Sequence, residues 1–170
     1  MIEMIGKLLT ETQKAQIVEI IKDRSTRFRS FERQYETLFY EPYTQMRHKY
    51  SATSAVISGF APGKFQIDGI TSTDLNYGLN DKLVQPELRC EKGIFHIYSD
   101  GSDLKGKKIL ERCKELNDDI TTPPLFFLII VSIDKKGNLN KIDIWLPNKD
   151  AEIVDKATIY EKQKLIAISA

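Results

Sequence analysis

Arg24, Arg27, Arg29, Arg33, Arg47, His48 and Lys49 are interleaved with Phe28, Phe31, Tyr35, Phe39, Tyr43 and Tyr50 in one stretch of the chain. Guanidinium groups grip phosphates in a fork and aromatic rings stack on bases. The chemistry this stretch is equipped for is therefore recognition of nucleic acid or another anionic polymer. Arg27, Arg29, Arg33, Arg47 and Lys49 are its candidate binding residues. A core-packed helix produces the same pattern: aromatics at three- and four-residue steps face inward, and arginines beside them solvate the outer face and pair with Glu32, Glu36 and Glu41.

A second set is acidic: Asp68, Glu87, Asp100 and Asp103, followed by Lys105, Lys107 and Lys108. Two carboxylates and a lysine converging at strand ends hold a hard divalent cation and orient water for phosphodiester hydrolysis. Asp68, Glu87 and Asp100 are the candidate catalytic residues of such a site. Equally, acids at these positions cap turns and the start of a helix.

The order of elements, helix, three strands, helix, strand, resembles that of the restriction-endonuclease-like nucleases, a likeness of order alone. That resemblance implies an acid followed by (D/E)xK along adjoining strands. The pattern is absent here: the third strand reads Ile94-Phe95-His96-Ile97-Tyr98, and the nearest substitute, Glu87-Leu88-Arg89, lies on the strand before.

Neither His48 nor His96 has a serine, cysteine or acid beside it in a nucleophile arrangement, and His96, between Phe95 and Ile97, reads as a solvent-facing strand residue. Gly101, Gly106 and Gly137 stand alone, outside any phosphate-binding glycine motif. Cys90 and Cys113 lack metal-ligand or redox spacing and read as reduced thiols. No cofactor and no metal is implied.

The chain has 170 residues, with 25 Lys and Arg against 24 Asp and Glu. That length fits a single domain, a helical part over about residues 9–60 and a sheet part over about 64–170, able to bury roughly 70% of its unfolded surface. The charge balance excludes a wholesale electrostatic grip on nucleic acid or membrane and leaves only a local patch. Apolar runs fall short of the ~18 residues of a span, and Glu3 and Lys7 interrupt the start before a signal core forms, so the expected location is cytoplasmic and away from membranes.

The elements that must position these residues follow from periodicity. Leu125–Val131, seven consecutive apolar residues after Pro123-Pro124, predicts a central strand buried on both faces. Leu139–Leu146 alternates, with Ile142, Ile144 and Leu146 on one face and Lys141, Asp143 and Trp145 on the other, and pairs with it as a hairpin. Trp145, taken as solvent-facing, and the polar stretch Ser72–Asp81 are candidate protein-contact surfaces. Upstream, Thr10 and Gln13 form a capping box for a helix over 11–24, and two further helices, about 27–40 and 43–58, are divided by Pro42. Phe65–Thr71 predicts a strand, and Leu83–Cys90 with Ile94–Ser99 a hairpin whose first arm Pro86 places near an edge. Asp103 is set to cap a helix over Leu104–Leu116, and residues 149–170 hold one strand at most.

The expectation is an α+β fold: N-terminal helices on a largely antiparallel sheet of about five strands with one crossing helix. The expected function is a non-enzymatic binding or accessory module that recognises nucleic acid, or a protein associated with it, through the aromatic and basic helices. The alternatives are a metal-dependent nuclease or other hydrolase with an atypical acidic site, and a plain protein-interaction module.

Overall fold

A computed structural model describes residues 5–38, 56–76, 84–102, 104–134 and 138–162, with only the backbone course described for 27–38, 75, 76, 84 and 85. Helix α1 (Glu11–Leu38) precedes strands β1 (Thr71–Asn76), β2 (Val84–Arg89) and β3 (Gly93–Ser99). Helix α2 (Lys107–Leu116) then crosses to β4 (Leu125–Ile133), followed by β5 (Leu139–Pro147) and β6 (Ile153–Glu161). The six strands form one sheet in sequence order. Every neighbour is antiparallel except β3 and β4, which run parallel because α2 carries the chain back between them. The fold is α+β, with one strand more than the apolar patterning predicts.

Burial of β4 on both faces follows from a helix on each side of the sheet. Leu125, Phe127, Ile129 and Val131 join Ile17 and Ile21 of α1, while Phe126, Leu128 and Ile130 meet Ile109 and Cys113 of α2. All seven apolar residues are thereby removed from water, each contributing about 1.5–3 kcal/mol relative to an exposed position. The predicted hairpin of β4 and β5 forms, with Ile129 opposite Ile144. At the start of β3 the layers close so tightly that a side chain on Gly93 would meet Leu8 and Phe127 at 3.0 Å or less.

The Thr10 capping box forms: Gln13 N donates to Thr10 Oγ1 and Thr10 N to Gln13 Oε1, both at 3.0 Å. Two helices over 11–24 and 27–40 are replaced by one unbroken helix. Ser25 and Thr26, which lie between the two predicted helices, turn their hydroxyls back to the Lys22 carbonyl at 2.9 and 3.0 Å, so their polar groups are satisfied inside the helix. The predicted helix over 43–58 lies outside the described residues apart from a helical turn at 56–58.

The predicted strand over Phe65–Thr71 is instead a reversal. Ile67 and Ile70 bridge each other around Asp68 and Gly69, with Gly69 at φ 79°, a conformation open to glycine. The strand begins at Thr71 and takes in Ser72–Asn76 of the polar stretch Ser72–Asp81. Thr71–Asn76 is polar because it is an outer strand held by its ladder to β2. Pro86 lies on β2, next to that outer strand and so near an edge of the sheet, as its lack of a donor leads one to expect. It lies where the β2–β3 register, Leu88 to Phe95 and Arg89 to Ile94, has ended, and so removes no bond from that ladder.

Helix α2 starts at Lys107 behind Gly106 and has no side-chain cap; Asp103 lies outside the described residues. Its far end is held by a buried amide. Asn117 Nδ2 donates to the carbonyls of Phe126 (2.9 Å) and Pro147 (2.7 Å), and its Oδ1 accepts from Phe126 N (2.8 Å). One side chain thus ties α2 to β4 and β5. In the tail, β6 pairs along β5, and Lys22 of α1 sits 4.4 Å over the Tyr160 ring. Trp145 is half-buried against the α2-side cluster, not solvent-facing; its indole N–H donates to Asp143 (3.1 Å) and Lys156 covers its ring at 4.2 Å. Among the described residues no helix is long and apolar enough to cross a membrane.

Candidate functional site

Strand alternation puts Glu87 and Arg89 of β2 and His96 and Tyr98 of β3 on the face that α2 covers, whereas Leu88, Phe95 and Ile97 fill the opposite cluster. Their positions converge on one carboxylate. His96 Nε2 lies 2.8 Å from Glu87 Oε2, Arg112 of α2 donates from Nε to the same oxygen (2.7 Å) and from Nη2 to Oε1 (3.2 Å), and Arg89 Nη2 donates to Oε1 (2.9 Å). Glu87 is 1% exposed and His96 fully buried, so the sequence expectation of a solvent-facing histidine is corrected. The Phe126 ring meets the imidazole edge-on at 4.8 Å.

Charge decides the protonation states. Arg112 also donates to Glu115 (3.0 Å), so two guanidiniums, Arg89 and Arg112, balance two carboxylates while the imidazole stays neutral. Burial works to raise the Glu87 pKa, but the bonds from His96, Arg112 and Arg89 outweigh it and hold the carboxyl down at about 2. Burial, seconded by Arg112, pushes His96 below the usual imidazole range against the pull of Glu87. A neutral ring satisfies both contacts at once: Nε2–H donates to Glu87, and Nδ1 faces the Tyr98 hydroxyl at 3.5 Å.

Carboxylate, imidazole and hydroxyl stand in the order used to activate a nucleophile. Here the hydroxyl contact is at the outer limit of a hydrogen bond, and the imidazole has no exposed surface. The arrangement suits fastening β2, β3 and α2 together.

Comparison of the chain with protein-family models, with curated proteins and with solved structures returns no match.

Of the acids singled out by sequence, Asp68 is exposed in the turn that Gln13 of α1 holds through the Asp68 carbonyl (2.8 Å), on the side of the sheet away from the Glu87 cluster. Asp100 is exposed beyond β3, where Ser132 Oγ donates to it (3.1 Å). The three acids are not brought together, and the described residues contain no group of three or more histidine, cysteine or acidic side chains able to hold a metal ion. Arg27, Arg29 and Arg33 lie in the second half of α1, described by its backbone, while Arg47, His48 and Lys49 lie outside the described residues. Near the middle of α1, Glu19, Ile20, Asp23 and Arg24 line an open groove of about 270 Å³ with Gly59 and Lys64.

Cys90 and Cys113 are free thiols. Burial pushes Cys113 up to about 11, which keeps it protonated and unreactive at neutral pH.

Sequence reasoning singled out Glu87 but missed its partners. Part of the signal was present: the tight turn, with Cys90 N bonded to Gly93 O (2.9 Å), sets Glu87 beside His96 on one face of the hairpin. Arg112, on the helix, belongs to no local pattern with either residue.

Proposed function

We propose that this chain is a non-enzymatic binding module that recognises nucleic acid through the basic second half of α1. The observation that carries the reading is the continuity of that helix from Glu11 to Leu38, 28 residues. At 1.5 Å per residue it is a rod of about 42 Å. Its first half is fixed to the sheet by Ile17 and Ile21 and its start by the Thr10 capping box. Arg27, Arg29 and Arg33 therefore belong to the same rod as the core contacts. Arginines on an ordered scaffold lose less conformational entropy on meeting phosphates than arginines on a free segment.

Binding is favoured over hydrolysis because Glu87, the acid a metal site would recruit, already takes four hydrogen bonds from three side chains. Displacing them for a cation would strip a carboxylate from two guanidiniums. The test is the affinity of the full chain for single- and double-stranded DNA and RNA oligonucleotides across a salt series. Log K should fall linearly with log salt, by about 0.7–0.9 for each phosphate neutralised. Lack of binding to every oligonucleotide at low salt would overturn the reading and favour a protein partner.

A further inference from the structure

We propose that the Glu87–His96–Arg112 cluster is an acid-sensitive latch, closed while His96 is neutral and loosened when His96 takes a proton, so that β2 and α2 part from β3 before the rest of the sheet gives way. The cluster is where α2 meets the hairpin by ionic contacts: Arg112 reaches Glu87 from the helix, and Glu87 reaches His96 just past the end of the β2–β3 ladder. Groups facing the imidazole come from each surrounding element. Glu87 comes from β2 with Arg89 on the same carboxylate, Arg112 from α2 with Glu115 behind it, Tyr98 from β3, and the uncharged Phe126 ring from β4.

With His96 neutral, the two guanidiniums and two carboxylates cancel. A proton on Nδ1 leaves a net positive charge at a position with no exposure to solvent. It also turns Nδ1 from acceptor to donor, so the Tyr98 hydroxyl must reverse or withdraw. Both changes are relieved by opening the cluster to water. The sign follows from linkage: an imidazole that is harder to protonate in the closed form favours closure fully above the ordinary value of about 6.5. That preference is lost as pH falls below it, at up to tenfold in the opening equilibrium per pH unit.

The experiment is native-state hydrogen exchange of the full chain at pH 7.5, 6.5 and 5.5, corrected for intrinsic rates. It is read beside the imidazole NMR titration, with the His96 resonance assigned by its absence from His96→Gln. The latch predicts that peptides from β2 and α2 lose protection by up to tenfold per pH unit below 6.5 while β4 and β5 keep theirs. His96→Gln, which can still donate to Glu87 but cannot be protonated, should remove that pH dependence. If His96→Gln fails to fold, the parent protein decides alone: His96 should gain its proton only as the β2 and α2 amides open. The latch is overturned if His96 titrates at 6.5 or above with β2 and α2 protection unchanged, or if a folded His96→Gln opens in acid as the parent does.

Discussion

Glu87 and Arg112, 25 residues apart in the chain, meet through two hydrogen bonds of 2.7 and 3.2 Å, and the carboxylate they share is 1% exposed. This pair joins helix α2 to strand β2, and its cost if broken differs from that of the surface pairs around it.

Glu87→Gln keeps the shape and removes the charge, leaving Arg112 beside a neutral amide in a largely dry site. Breaking a buried pair by removing one partner costs about 3–5 kcal/mol. Arg89→Ala removes a partner whose side chain is 52% exposed, and should cost about 1 kcal/mol or less. Urea denaturation of the two variants checks the contrast; equal losses would contradict the placing of the Glu87 charge in the interior and of Arg89 at the exposed rim.

Acid sensitivity of the same carboxyl has a defined window. Its pKa is about 2 in the folded chain against an ordinary 4.5, so the stability it contributes is fully present above about pH 4.5 and is lost as pH falls toward 2. The loss is of order 3 kcal/mol at most. Unfolding free energies at pH 5 and pH 3 should differ more for the parent than for Glu87→Gln; the same difference in both would place the acid sensitivity elsewhere.

Asn117→Ala should cost about 2–4 kcal/mol, because it leaves the carbonyls of Phe126 and Pro147 and the amide of Phe126 without their partner in the interior. Asn117→Asp keeps the acceptor but turns a carboxylate oxygen toward two carbonyls, and should be at least as damaging. Thermal melts of the two variants test this; a near-neutral Asn117→Asp would mean the amide is not the tie between α2 and the sheet.

Much of this architecture was legible from residue pattern alone, for a physical reason. Leu125–Val131 has to be buried on both sides wherever it goes, and Thr10 with Gln13 forms a cap from atoms three residues apart. These are local constraints or strong apolar ones. Thr71–Asn76 escaped because an outer strand needs a ladder and little apolar surface, and the continuity of α1 escaped because Ser25 and Thr26 satisfy themselves within it. The candidate site was half visible. Glu87 stood out as an acid on a strand, but its partner Arg112 comes within reach only because α2 crosses over the sheet.

The most direct test of the binding account is the salt dependence of oligonucleotide affinity for the parent and for Arg27→Ala/Arg29→Ala/Arg33→Ala. At about 100° per residue Arg29 and Arg33 lie one turn apart on one side of α1, whereas Arg27 is some 160° from Arg29, so the three do not share one narrow stripe. The account predicts a folded triple variant with weaker binding and a log K against log salt slope shallower by about 0.7–0.9 for each phosphate that an arginine no longer neutralises. An unchanged affinity and slope, with stability altered by only a few tenths of a kcal/mol for each i,i+3 or i,i+4 pair with Glu32 or Glu36 that the substitutions remove, would contradict it.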